Sequence, residues 1–247
     1  KGVLKVPFAM YQSWRILRAL RPQVVLGVGG YASGPALLAA WMTCYRVAIQ
    51  EQNAVPGMTN RVLGKLCRAV FLGFRAAASH FPHRKVKFTG NPLRRRVADA
   101  LRNAPSRTAA EVGSLRVLIF GGSQGARFLN ESVPGLLDRL KAIAGNLRLT
   151  ILHQTGVHDE AVTRDRYVAT GLDPKSWKVT AFIDDMPAAY AEADLAITRA
   201  GALTVGELTA VGLPSLLVPF PYAADNHQEV NASVLVDGGA ARMVRQT

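Results

Sequence analysis

The stretch best equipped for chemistry is Arg199-Ala200-Gly201-Ala202-Leu203-Thr204, followed through Val205 and Gly206 by Glu207. The apolar run Leu195 to Ile197 leads into this small-residue turn, a helix follows it, and Ser215 to Val218 reads as the next strand. Such a turn offers backbone N–H groups at a helix N-terminus, where the dipole favours negative charge. Gly201 lets the main chain approach a bulky anion, and Thr204 can cap the helix or bond a phosphate oxygen. At Glu207 a carboxylate can accept hydrogen bonds from a pair of sugar hydroxyls. Phosphate at the turn and ribose at the acid make a nucleoside diphosphate. An ordinary helix start with a solvated glutamate competes with this reading.

Two further glycine turns follow strand-like runs. Gln23 to Val28 runs into Gly29-Gly30-Tyr31-Ala32-Ser33-Gly34-Pro35, and Leu115 to Phe120 into Gly121-Gly122-Ser123-Gln124-Gly125. The second opens a helix from Ala126 to about Leu140 and is similar to a dinucleotide fingerprint. The next strand, Leu147 to Leu152, ends in His153-Gln154-Thr155-Gly156, without the acidic residue that holds an NAD ribose, which argues against a nicotinamide enzyme. Gln50-Glu51-Gln52-Asn53 is a polar cluster closing the strand Arg46 to Ile49. Asp184-Asp185 invites a metal, but no other ligands accompany the pair and Asp185 fits a helix N-cap. The histidines have bland settings: His80 and His83 in a basic loop, His153 at a strand end, His158 on a surface helix, and His227 beside Gln228.

Strands alternating with helices imply α/β architecture with parallel sheets. Helices are expected over residues 4–20 and 57–66 and after Gly90-Asn91-Pro92-Leu93-Arg94. Further strands are expected at 69–72, 85–89 and 178–181. Residues 103–114 read as a linker between domains at 1–102 and 115–247, because composition and charge change there. Residues 1–110 carry 18 Lys and Arg against Glu51 and Asp99, a net of +16, whereas residues 111–247 carry 12 against 15 acidic residues, a net of −3. A basic half of this kind points to an anionic surface.

In the helix over 4–20, Val6, Met10, Leu17 and Leu20 make a stripe fit to pack inward. Leu4, Phe8, Tyr11 and Trp14 make a second stripe beside Arg15, Arg18 and Arg21, as suits a membrane interface, although a helix buried on two sides also fits. Stacking aromatics are confined to this helix rather than spread along a groove, which disfavours nucleic acid. The two cysteines, Cys44 and Cys67, read as free core thiols in a reducing compartment. No apolar run is long enough to span a bilayer. Lys1-Gly2-Val3-Leu4 looks like neither a signal peptide nor a natural start, and the sequence reads as a piece missing both ends.

Seven motifs in order resemble the MurG family of UDP-N-acetylglucosamine transferases over nearly the whole chain. They are Gly29-Gly30-Tyr31 with Ser33-Gly34-Pro35, Glu51-Gln52-Asn53, Gly90 to Arg94, Gly121 to Ala126, Phe182-Ile183-Asp184-Asp185-Met186, Gly201 to Val205, and Asp225 to Ala232. The resemblance implies the GT-B fold, two doubly wound Rossmann-like domains facing a cleft. It implies an inverting transfer of GlcNAc from UDP-GlcNAc to the MurNAc C4 hydroxyl of lipid I, forming lipid II for peptidoglycan at the cytoplasmic face of the bacterial inner membrane, without metal or other cofactor. By the same resemblance, Ile183 meets the uracil and Glu207 the ribose. Ser123 and the turn Ala202, Leu203, Thr204, Val205, Gly206 hold the diphosphate with Arg94, and Asn53 and Gln228 address GlcNAc. Gly29, Gly30, Tyr31 and Glu51 lie on the acceptor side, and Phe8, Tyr11 and Trp14 at an anionic membrane surface. The family's histidine-bearing glycine loop belongs before Lys1, and Gln50 stands where the family commonly has histidine, so no catalytic base is assigned and Glu51 is a second choice. A diacylglycerol glycosyltransferase or a UDP-sugar epimerase would share the donor half and differ over residues 1–90.

Overall fold

The computed structural model describes residues 6–30, 32–103, 111–122 and 124–246. The chain forms two compact α/β units. The first comprises Lys1–Pro92 with Ala224–Asn231, and the second comprises Leu93–Ala223 with Ala232–Thr247. Leu93 to Asn103 thus groups with the second unit, and the expected linker over 103–114 falls mostly outside the described residues.

In the first unit, α1 (Val6–Leu20) precedes β1 (Val24–Gly27), α2 (Ser33–Met42), β2 (Arg46–Glu51), α3 (Met58–Leu63), β3 (Ala69–Leu72) and β4 (Val86–Phe88). The sheet is wholly parallel in the order β1-β2-β3-β4. Its strands are short and apolar, as buried parallel strands are. Gly27 ends β1 because α2 packs directly on it: a Cβ there would come 2.2 Å from Leu37 Cδ1. Leu17, Leu37, Ile49, Val70, Leu72 and Phe81 anchor the core.

Helix α1 packs on α2 through Met10 and Leu17, as expected, whereas Val6 and Leu20 are exposed, Leu20 by 72%. The physical reason is length. Fifteen residues of α1 extend about 22 Å and ten of α2 only about 15 Å, so the ends of α1 overhang. Cys67 is buried as expected, but Cys44 is exposed, since it sits at φ +63° in the turn that ends α2.

The second unit contains α4 (Arg95–Asn103), β5 (Ser114–Phe120), α5 (Arg127–Ile143), β6 (Arg148–Gln154), α6 (Glu160–Ala169), β7 (Trp177–Thr180), α7 (Met186–Glu192), β8 (Leu195–Thr198), α8 (Ala202–Val211), β9 (Ser215–Leu217) and β10 (Ala241–Met243). Helix α9 (His227–Asp237) begins among residues of the first unit and ends among those of the second. All six strands are parallel, in the order β7-β6-β5-β8-β9-β10. The chain winds outward from β5 to β7, then returns to β8 and winds the other way. The switch point therefore lies between β5 and β8, where ligands bind beyond the carboxyl ends of the strands in doubly wound sheets. Helix α4 packs against α7 and α8, close to that point. Among the described residues no helix is long and apolar enough to cross a membrane.

Candidate functional site

Two of the three glycine turns emerge side by side at the switch point. Phe120 and Thr198 are paired residues at the ends of β5 and β8, so Gly121-Gly122 and Arg199-Ala200-Gly201 leave the sheet as neighbours. Gly125 has φ +76°, and a Cβ there would fall 1.8 Å from the Thr155 carbonyl, so only glycine fits. Gln154, buried at the end of β6, donates to the Gly122 carbonyl at 2.9 Å and accepts from the Ile183 N–H at 3.0 Å. Ser123, expected at the diphosphate, lies outside the described residues, as does Tyr31 on the acceptor side.

Gly201 starts α8 in an extended conformation. The first intrahelical bond runs from Val205 N to Gly201 O at 2.9 Å. The N-terminus of a helix carries partial positive charge, which suits an anion. Val205 is buried, Leu203 is 44% exposed and Gly206 is half-buried. Arg199 is also buried, flanked by the Phe128 and Phe220 rings. Its guanidinium donates to the carbonyls of Val218 and Pro219 and to Gln246 Oε1. Burial lowers its pKa from the ordinary arginine value.

Glu207 differs from the solvated glutamate of the competing reading. It is 4% exposed. Arg94 Nε donates to its Oε1 and Arg94 Nη2 to its Oε2, each at 2.7 Å, and Tyr190 Oη donates to Oε2 at 2.9 Å. The hydrogen bond to Glu207 raises the Arg94 pKa. Tyr190, whose ring stands edge-on to Phe120, has its phenol pushed up by burial and by the Glu207 charge. Two residues the sequence assigns to different parts of a nucleotide are therefore joined to one another, and Tyr190 is a partner no motif marks. Asp185 caps α7 by accepting from Ala188 N. Among the described residues no group of three acidic, histidine or cysteine side chains is arranged to hold a metal.

His153, near the end of β6, is fully buried. Its nitrogens meet Tyr167 Oη at 3.0 Å and Asn130 Oδ1 at 3.1 Å, and burial lowers its pKa to about 3. Asn130 Nδ2 in turn donates to the Thr155 carbonyl, supporting the backbone against which Gly125 rests. His158 lies in an exposed turn ahead of α6, not on the helix.

In the first unit, Gly29, Gly30, Glu51, Asn53, Asn60 and His227 line an open cavity of about 460 Å³. Glu51 is buried, and both its oxygens are held, Oε1 by Asn53 N at 2.9 Å and Oε2 by Asn60 Nδ2 at 2.7 Å. Asn53 Oδ1 accepts from Asn231 Nδ2 at 3.3 Å. Gln228 is half-buried in the first turn of α9, grouped with this unit. Gln50 is buried and donates to Asn91 Oδ1. On α1, Phe8 and Tyr11 are 63% and 55% exposed, and Trp14 is half-buried beneath the Arg18 guanidinium.

The family model for the glycosyltransferase family 28 C-terminal domain matches residues 116–247, and that for the family's N-terminal domain matches residues 1–72. The chain is similar to the UDP-N-acetylglucosamine–N-acetylmuramyl-(pentapeptide) pyrophosphoryl-undecaprenol N-acetylglucosamine transferase of Anaeromyxobacter dehalogenans strain 2CP-C, with 50% identity over 99% of this chain. The transferase of that name from Myxococcus xanthus is 47% identical over the whole chain. The chain spans 62% of the length of each of these relatives. The crystal structure of Acinetobacter baumannii MurG matches 99% of this chain and 67% of its own, with 37% identity and a TM-score of 0.77. A Listeria monocytogenes protein described as a putative UDP-N-acetylglucosamine 2-epimerase shares the fold, with a TM-score of 0.70 at 14% identity.

Proposed function

Because the chain belongs to glycosyltransferase family 28, we propose that the protein transfers GlcNAc from UDP-GlcNAc to the C4 hydroxyl of MurNAc in lipid I, yielding lipid II. The observation that carries this reading is the pair of glycine turns at the β5–β8 switch point, with a buried carboxylate, Glu207, one helical turn beyond the second. The N-terminus of α8, from Ala202 to Thr204, receives the diphosphate together with Gly122 and Ser123. Glu207 accepts the ribose hydroxyls, and the Ile183 backbone meets the uracil. Arg94, half-exposed and paired with Glu207, stabilises charge on the departing UDP. The helix dipole and this guanidinium supply positive charge without a metal. Asn53 and Gln228 address the sugar. The cavity at Gly29, Gly30 and Glu51 receives the acceptor. Glu51, with both oxygens already bonded, serves to shape that cavity and is not assigned as the base.

Phe8, Tyr11 and Trp14 with Arg15 and Arg18 rest on the anionic cytoplasmic surface of the inner membrane, where the lipid-linked acceptor resides. Large exposed aromatics beside arginines favour an interface. The test is product formation by the full-length protein from UDP-GlcNAc and a lipid I analogue. A β1,4-linked disaccharide is expected, and its loss in a folded Glu207→Ala variant. Release of UDP without disaccharide, or epimerised UDP-sugar as the product, would sink the reading.

A further inference from the structure

Gln154 is the last residue of β6 and is 3% exposed. The two ends of its amide are chemically different, and each faces the partner it needs: Oε1 accepts from Ile183 N–H at 3.0 Å, and Nε2 donates to the Gly122 carbonyl at 2.9 Å. A single buried side chain thus straps the turn after β5 to the segment after β7. The neighbouring backbone is stitched to the same pattern. Thr155 N donates to Thr180 O, Gly156 N donates to Ala181 O, and Asn130 Nδ2 donates to Thr155 O. An apolar side chain at position 154 would avoid the desolvation cost of an amide, so its presence with both ends satisfied calls for a reason beyond filling space.

We infer that Gln154 is a positioning residue for the nucleotide. It sets the separation between the phosphate-binding turn at Gly122 and the base-reading backbone at Ile183. The inference rests on the donor reading above.

The test uses the full-length protein and titrates UDP and uridine into wild type, Gln154→Glu and Gln154→Met. Gln154→Glu keeps an oxygen for the Ile183 N–H but turns another against the Gly122 carbonyl. It is expected to weaken UDP binding about tenfold while uridine binding changes by less than about threefold. Gln154→Met removes both bonds at nearly constant volume and weakens both ligands. Hydrogen exchange at the Ile183 amide stays slow in the glutamate variant and speeds up in the methionine variant. Unaltered affinities in both variants, or losses of UDP and uridine in equal proportion that follow thermal stability, overturn the inference while the donor reading stands. A wild-type protein that binds no UDP overturns both.

Discussion

Arg94 holds both carboxylate oxygens of Glu207, at 2.7 Å each, so the candidate ribose acceptor is paired with a guanidinium. Removing the guanidinium leaves a buried carboxylate with Tyr190 as its remaining partner among these contacts. Arg94→Ala is therefore expected to lower unfolding stability by about 1–3 kcal/mol, read by urea denaturation, and to weaken UDP-GlcNAc binding more than uridine binding. Arg94→Lys restores only part of either loss, because an ammonium cannot form the two-pronged pair. Equal stability of wild type and Arg94→Ala would contradict the bond.

Tyr190→Phe tests the other contact to the same carboxylate. The ring keeps its edge-on packing against Phe120, and only the hydroxyl bond to Glu207 Oε2 is lost. A loss of about 1 kcal/mol in stability is expected, with weaker UDP-GlcNAc binding by calorimetry. A variant with unchanged affinity would remove Tyr190 from the site.

His153 makes stability sensitive to acid. Its folded pKa, lowered to about 3 by burial, lies below the ordinary value of about 6.5. Between these values the unfolded chain binds a proton that the folded chain refuses. The contribution is whole above about pH 6.5 and is lost as pH falls toward 3, with a limiting slope of about 1.4 kcal/mol per pH unit. Denaturant unfolding from pH 7 to 4 should show this slope, and His153→Gln should flatten it. An identical slope in the variant would assign the acid sensitivity elsewhere.

Two glycines with similar backbone angles should respond differently to alanine. Gly30→Ala meets only the left-handed conformational cost of about 1–2 kcal/mol, since φ is +79° and no atom lies within 4 Å of the added Cβ. Gly125→Ala adds a collision with the Thr155 carbonyl to that cost. It is expected to lose UDP-GlcNAc binding and several degrees more in thermal midpoint. Matching midpoints for the two variants would contradict the close approach at Gly125.

The strand–turn–helix units were legible because each announces itself locally, as an apolar run ending in glycines. Asp185 as a cap was legible for the same reason, since its partner Ala188 is three residues away. The Gln154 strap was not, because it joins strand ends 32 and 29 residues apart, and nothing in His153-Gln154-Thr155 says which side chain turns inward. The Tyr190–Glu207 bond depends on α7 and α8 presenting facing residues, which only the folded sheet decides. The exposure of Val6 and Leu20 depended on α2 being shorter than α1.

Exposed aromatics on α1 give a prediction separable from all of these. Replacing Phe8 and Tyr11 together by serine should reduce binding to anionic vesicles and leave thermal stability within about 0.5 kcal/mol of wild type, as for other exposed positions. Vesicle binding unchanged by the pair would reassign the membrane-facing surface.

The most direct test of the central claim is a calorimetric titration of the 247-residue chain with UDP-GlcNAc, UDP-glucose and NAD, repeated on Glu207→Ala. The account expects UDP-GlcNAc to bind in preference to both competitors and the signal to vanish in the variant. Binding that survives loss of the carboxylate, or a preference for NAD, would contradict a UDP-sugar site built on Glu207.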